Sequence, residues 1–375
     1  MNAKPEQSMA SHDADGPLLV FVEPTSYVIA LVERLRADER APISVIYLTR
    51  NMSQDWDNQS PDPVLDGNPI RRLFDLVRFL SRHRARVLHL AGWGHPLLMC
   101  ALIVGRLLGK RVFVESDTHQ NSRKGLVVRV LKKLMYPLIF RLPTCFLPAG
   151  TQQAAYLRSF GVPSRRIRVA GMTVDVAGIR HAVGQINRSE TRAARGWQFD
   201  DFVVTYVGRL EPIKGIADLL AAFDRRKTAE PRTRLQIVGD GSLMARLQTD
   251  ISADDRIQLR GRLSSNALWA GYAAADCIVV PSHWEPWGLV VNEAMAAGIP
   301  VVAASSLGCS ADLIDHKRTA LAFKTGDIDA LTCAIAWIAR HPQDAQCLVA
   351  SAGHLMDRWS LEDESDAIRS AWANA

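Results

Sequence analysis

"EPWGLVVNEAMAAGIPVV", residues 285–302, sets Glu285 and Glu293 eight positions apart in a stretch otherwise filled mostly by apolar and small residues. On one continuous helix that spacing is about 12 Å of rise and about 80° of rotation, so the two carboxylates would not meet at one small group. The pair makes sense if Glu285 lies in the loop before a helix and Glu293 one to two turns inside it. The preceding "DCIVVPS" (276–282) reads as a buried strand and "HWEPWG" (283–288) as a loop, so the helix is expected to start near Gly288. A glycine there allows close approach to the backbone. The first N–H groups, at about Gly288, Leu289 and Val290, lack partners inside the helix and, with its dipole, form an anion site that suits a diphosphate. Glu293 could then accept hydrogen bonds from neighbouring hydroxyls such as those of a ribose. Glu285 would face whatever extends beyond the phosphates. The plainer alternative is that both glutamates only complement a helix N-terminus.

A second strand–loop–helix unit precedes it, "VTYVGRLEPIKGIADLLAAF" (204–223). Arg209 leaves the strand tip and Lys214 opens the next helix, so both cations can converge on one anion. Fixed cations aimed at a leaving diphosphate stabilise a transition state more than a ground state. Taken alone, Arg-x₄-Lys also suits two ordinary surface cations.

The rest of the chain repeats this rhythm. Strands are expected at 18–23, 43–48, 85–90, 110–116, 144–149 and 166–171, then at 202–208, 234–239, 256–261, 276–281, 300–305 and 320–324, with helices between most of them. Between the two sets, 180–201 is polar and weakly periodic and reads as an interdomain region. The expectation is two doubly wound parallel-sheet domains facing a cleft, a site to which such sheets turn the C-terminal ends of their strands. Their extents are set at 17–190 and 191–360, after a disordered lead-in over 1–16. A final helix over 361–375 would pack back on the first domain.

Composition narrows the class. With 375 residues, 48% hydrophobic and 22% charged, the chain is an ordinary globular protein too long for one core. It has no run of 18 apolar residues and no signal-peptide pattern. The six scattered cysteines, with no CxxC and no metal spacing, read as reduced, buried residues of a cytoplasmic protein. The net charge of +6 is uneven: residues 71–133 hold 14 Lys/Arg against three acids, a local +11. Within it, "RKGLVVRVLKKLMYPLIFR" (123–141) mixes cations and apolar residues at helical spacing. That suits contact of the stretch 71–141 with the inner face of a membrane, or an anionic lipid-linked substrate; a solvated basic helix face is the alternative. No nucleic-acid partner is expected.

Taken together, "GRLEPIKG" followed by Glu-x₇-Glu strongly resembles the GT-B glycosyltransferases of family 4, retaining enzymes that use nucleotide-sugar donors. "VGDGS" (238–242), "LRGRLS" (259–264) and "AADCIVVPS" (274–282) also match the donor domain of that family. The resemblance is close over about 200–325 and loose elsewhere. It implies a GT-B fold of two Rossmann-like domains and a place for each residue. Arg209 and Lys214 would hold the diphosphate, Glu293 the ribose, and Glu285 the donor sugar and the transition state. Backbone at Gly288, Leu289 and Val290 would meet phosphate or sugar, and the loop with Arg262 and Leu263 would sit against the base. No metal or other cofactor is implied, because the cations and the helix dipole replace one.

The first half departs from the pattern. Where many relatives carry a glycine-rich loop, this chain reads "FVEPTSYVIAL" (21–31). A cleft histidine is usual after a central strand, and "RVFVESDTHQN" (111–121) offers His119, with Asp117 as second choice. Trp93 would stack on a sugar or lipid, or pack in the core. The reading that follows is a retaining hexosyltransferase moving a sugar to a saccharide or lipid-linked hydroxyl in surface polysaccharide or glycolipid synthesis. Its rivals are a nucleotide-sugar isomerase of the same fold and a non-catalytic nucleotide-sugar-binding subunit.

Overall fold

The computed structural model describes residues 15–38, 42–50, 60–120, 126–227, 232–251 and 254–374. The expected lead-in, up to residue 14, and residues 121–125 of the basic stretch lie outside the described residues. The chain forms two units, residues 1–172 with 361–375, and residues 173–360.

In the first unit, strands and helices alternate: β1 Leu18–Phe21, α1 Ser26–Asp38, β2 Ser44–Tyr47, α2 Pro69–Arg82, β3 Val87–Leu90, α3 Pro96–Leu107, β4 Arg111–Ser116, α4 Leu126–Ile139, β5 Cys145–Pro148 and α5 Thr151–Ser159. All pairings are parallel, in the order β2-β1-β3-β4-β5. The strands are short apolar runs because helices cover both faces, leaving no solvent side to which alternate residues could turn. The order reverses between β1 and β3, where neighbouring connections run to opposite faces and their loops part to leave a crevice.

The strand expected at 166–171 does not form. This segment runs beside β5 and makes only an isolated bridge, Phe146 to Ile167. Arg168 and Ala170 donate their N–H groups to Phe146 O and Pro148 O. The next return bond would need an N–H from Pro148, which has none, so the ladder stops.

The second unit opens with α6 Val176–Gly184 and α7 Arg188–Ala193. It continues as β6 Phe202–Val207, α8 Ile216–Lys227, β7 Thr233–Val238, α9 Met244–Asp250, β8 Ile257–Leu259, α10 Ser265–Ala274, β9 Cys277–Val280, α11 Leu289–Ala296, β10 Val301–Ala304, α12 Ser310–Leu313, β11 Leu321–Phe323, α13 Ile328–Arg340 and α14 Pro342–Met356. Its sheet is also parallel, ordered β11-β10-β9-β6-β7-β8, and reverses between β9 and β6.

The polar segment 180–201 is built into this unit rather than spanning a gap. Arg192 is buried and donates to Ala274 O, Phe199 O, Asp201 O and the Asp276 carboxylate. A buried arginine breaks the apolar period that marks a core helix, yet its five donors satisfy carbonyls that would otherwise be orphaned.

The last helix, α15 Leu361–Asn374, packs on α1 in the first unit. Its Ile368 and Trp372 join Leu19, Phe21 and Tyr47 in one core. Arg369 donates to the carbonyls of Arg34 and Leu35 at the end of α1, both at 3.1 Å. Of the cysteines, Cys145, Cys277 and Cys309 are buried, but Cys333 and Cys347 are exposed on α13 and α14, against the expectation of burial.

Candidate active site

At the reversal point of the second sheet, the loops after β6 and β9 meet. Two glycines make this possible. Gly208 ends the strand at φ 155, and Tyr206 Oη donates to the Arg209 carbonyl at 2.7 Å, fixing the strand tip. Gly215 closes the 3₁₀ turn Pro212–Lys214 at φ 69, and a Cβ there would lie 2.1 Å from the Pro281 carbonyl oxygen. Only glycine meets both the left-handed backbone and the contact. This approach lays the turn against the end of β9, where His283 N–H donates to Ile213 O at 2.8 Å.

Lys214 Nζ lies 2.6 Å from Glu285 Oε1, with both side chains largely buried. Ser282 Oγ donates to the same oxygen at 2.9 Å. Arg209 is exposed at the strand tip. Burial, then the Glu285 charge, pushes the Tyr206 phenol well up, so it stays a hydrogen-bond donor.

The two glutamates divide between loop and helix as their spacing suggests. Glu285 lies in the loop, where its carbonyl accepts from Gly308 N–H at 3.2 Å. The loop is pinned by Trp287, whose buried ring stacks on Trp359 at 5.9 Å and whose Nε1–H donates to Asn292 Oδ1 at 2.9 Å. Gly288 caps α11 at φ 107, with no side-chain cap. The leading N–H groups of Leu289 and Val290, both half-buried, precede the first turn that Val291 N–H closes on Gly288 O.

Glu293 lies in the second turn, half-buried, and accepts a short hydrogen bond from Tyr272 Oη. Burial, only partly offset by that bond, pushes its carboxyl up to about 7. Arg262 and Leu263 follow β8 at the sheet edge, Arg262 exposed and Leu263 half-buried.

In the first unit the site residues fare differently. His119, preferred over Asp117, is 1% exposed, whereas Asp117 is exposed and lines a cavity beside the end of β4. Past Ser116 the chain turns the imidazole inward and leaves the carboxylate outside. Trp93 takes its packing alternative, with its ring edge-on to Phe140 at 4.9 Å and Phe146 at 5.9 Å.

Several site residues carry no sequence signal. Ser282 and His283 lie in the strand-end segment but match no spacing; His283 Nε2 pairs with Asp218 at 2.8 Å. Tyr272 sits in a small-residue helix that reads as plain core.

Residues 187–352 match the family described as glycosyl transferases group 1. This segment of the chain belongs to that family. The group 1 segment holds every candidate residue named above from Arg209 to Glu293. Over 145 residues the chain is 36% identical to a glycogen synthase of Mycobacterium tuberculosis, covering 38% of this chain and 34% of that one. Over 178 residues it is 33% identical to a D-inositol 3-phosphate glycosyltransferase of Segniliparus rotundus, covering 45% and 38%. The chain spans about a third to a half of the length of the curated relatives it matches. The solved structure of Anabaena HepE in complex with UDP and glucose superposes with a TM-score of 0.76 at 16% identity, covering 96% of this chain and all of that one. The two parallel-sheet α/β units are those of the GT-B fold.

Proposed function

We propose that the protein is a retaining glycosyltransferase that moves a sugar from a nucleotide-sugar donor to an acceptor hydroxyl. The observation that carries this is the Lys214–Glu285–Ser282 cluster at the reversal point of the second sheet, beside the open start of α11. Arg209, Lys214 and the α11 N–H groups hold the diphosphate, and Glu293 takes the ribose. As the bond from sugar to phosphate breaks, charge grows on the diphosphate oxygens. Cations already fixed there stabilise that charge without reorganising, so no metal is required by this reading. Glu285, held by Lys214 and Ser282, faces the donor sugar, and Arg262 and Leu263 lie against the base. The acceptor oxygen attacks from the face the diphosphate leaves, and the diphosphate takes the proton.

The acceptor is a saccharide, free or lipid-linked, reached at a membrane surface. On α4, Val127 (80% exposed), Leu131, Leu134 (68%) and Leu138 form one exposed apolar stripe, and the exposed Arg129 and Lys133 lie on the other side of the same helix. Such a helix suits the interface of an anionic bilayer. Among the described residues no helix is long and apolar enough to cross one. Flotation with anionic vesicles at low salt tests this, and failure to float counts against it.

The donor is tested by thermal stabilisation with UDP, GDP, ADP, CMP and dTDP and their common sugars, UDP first because a fold neighbour holds it. A rise in melting temperature with one nucleotide, lost in Glu293→Ala, is expected. No shift with any of them at millimolar concentration overturns the donor site.

A further inference from the structure

A cavity of about 240 Å³ opens at the reversal point of the first sheet, beside the ends of β1 and β4. That is below the ~300–1,000 Å³ typical of sites for drug-sized ligands, a fit for one small polar molecule. Its polar lining includes Glu23, Tyr27, Glu115, Ser116, Asp117 and Glu364; among the described residues no lysine, arginine or histidine lines it. Ser116 is 5% exposed, and its Oγ has no hydrogen-bond partner among the described residues. A buried hydroxyl left without a partner is costly and points to a group that completes it.

One of the carboxylates is held from behind. His89 is fully buried between the cavity and α15. The Trp372 indole Nε1–H lies 3.3 Å from His89 Nδ1. An indole N–H only donates, so Nδ1 accepts and the proton sits on Nε2. Nε2–H therefore donates to Glu115 Oε1, 2.7 Å away. The chain Trp372–His89–Glu115 fixes both the imidazole tautomer and the carboxylate. Trp372 is itself placed by α15, which Arg369 ties to the end of α1.

We infer that this cavity binds a non-anionic group rich in hydroxyl or ammonium hydrogens, that Glu115 accepts its hydrogen bond, and that His89 and Trp372 are positioning residues for Glu115. Calling this group the acceptor rests on the glycosyltransferase reading; the binding itself does not. Four carboxylates attract hydroxyl and ammonium hydrogens and repel a phosphate. The Tyr27 phenol, kept protonated by burial and by the charges of Asp117, Glu115 and Glu23, adds a donor. The site thereby differs from one built for an acceptor such as D-inositol 3-phosphate, the compound in the name of a relative.

The test is direct binding to the full chain by saturation-transfer NMR and calorimetry, without nucleotide. The probes are myo-inositol, D-glucosamine and D-inositol 3-phosphate. Binding of either or both of the first two is expected, glucosamine binding assigning the cation and inositol binding the hydroxyl chemistry, with the phosphate probe at least tenfold weaker. Glu115→Gln should weaken the bound probe at least tenfold. Trp372→Phe removes the indole N–H together with the fused five-membered ring, so some loss of melting temperature from the core accompanies it; it should weaken the same probe several-fold while nucleotide affinity stays unchanged. The inference is overturned if the phosphate probe binds as tightly as the others, if neither uncharged nor amino probe binds at millimolar concentration, or if Glu115→Gln leaves affinity unchanged. Because nucleotide binding is read separately through Glu293, failure of the donor site and failure of this cavity are distinguishable.

Discussion

The two sheets share a parallel topology with one reversal point each, yet the loops at those points carry opposite chemistry. In the second unit they gather the cations Lys214 and Arg209 and the start of α11. In the first they bring carboxylates around an unpartnered serine hydroxyl. Strand order decides where a ligand can sit, and the loop residues alone decide its charge.

The contrast breaks hardest at Lys214. Lys214→Ala should lower kcat by about 10²–10³ with the correct donor, the range for losing one fixed transition-state donor, and leaves Glu285 without its cation. A steady-state assay that finds less than a tenfold loss would mean the cationic character of this site is not catalytic. Backbone geometry comes next. Gly215→Ala needs φ 69 and meets the Pro281 carbonyl, so it should cost at least about 2 kcal/mol of unfolding free energy and shift the turn that carries Lys214. Denaturant titration checks the first effect and nucleotide affinity the second.

Glu293→Gln sharpens the comparison through pH. The Glu293 carboxyl is pushed up to about 7 by burial, so the native state holds its proton more tightly than the unfolded chain does. Its contribution to stability is fully present below about pH 4.5 and is lost as pH rises to about 7. The variant should therefore be more stable than the parent at pH 8 by on the order of 1–2 kcal/mol, with no gain near pH 4, while binding nucleotide more weakly. Equal melting-temperature differences at both pH values would show that the carboxyl is not strained. Smallest is Ser282→Ala, which removes one hydrogen bond to Glu285 and should cost about 1 kcal/mol of transition-state stabilisation, a few-fold in kcat/KM.

Much of the second unit is legible in the amino-acid sequence. Its six strands lie on short apolar runs, four of which end in glycine or proline, and Glu285 and Glu293 divide between loop and helix as their spacing requires. The first unit misleads in specific ways. The run 166–171 has strand composition, but its ladder depends on an N–H that Pro148 lacks. His119 is buried and Asp117 is accessible; the local turn that sets this is invisible in composition. The segment 180–201 resembles a linker because Arg192 replaces an apolar core residue with hydrogen bonds to carbonyls.

What the sequence determined by itself is local: where strands and helices alternate, which glycines must turn, and which residue types stand at strand ends. These follow from periodicity and backbone sterics within a few residues. The partnerships that make the sites are not local. Tyr272 meets Glu293 across 21 residues, Lys214 meets Glu285 across 71, and Trp372 meets His89 across 283. Only the order in which strands pair, and the docking of α15 on α1, brings such residues within a hydrogen bond. That order is fixed by burying all the helix and sheet faces at once, which no short stretch of the chain encodes alone.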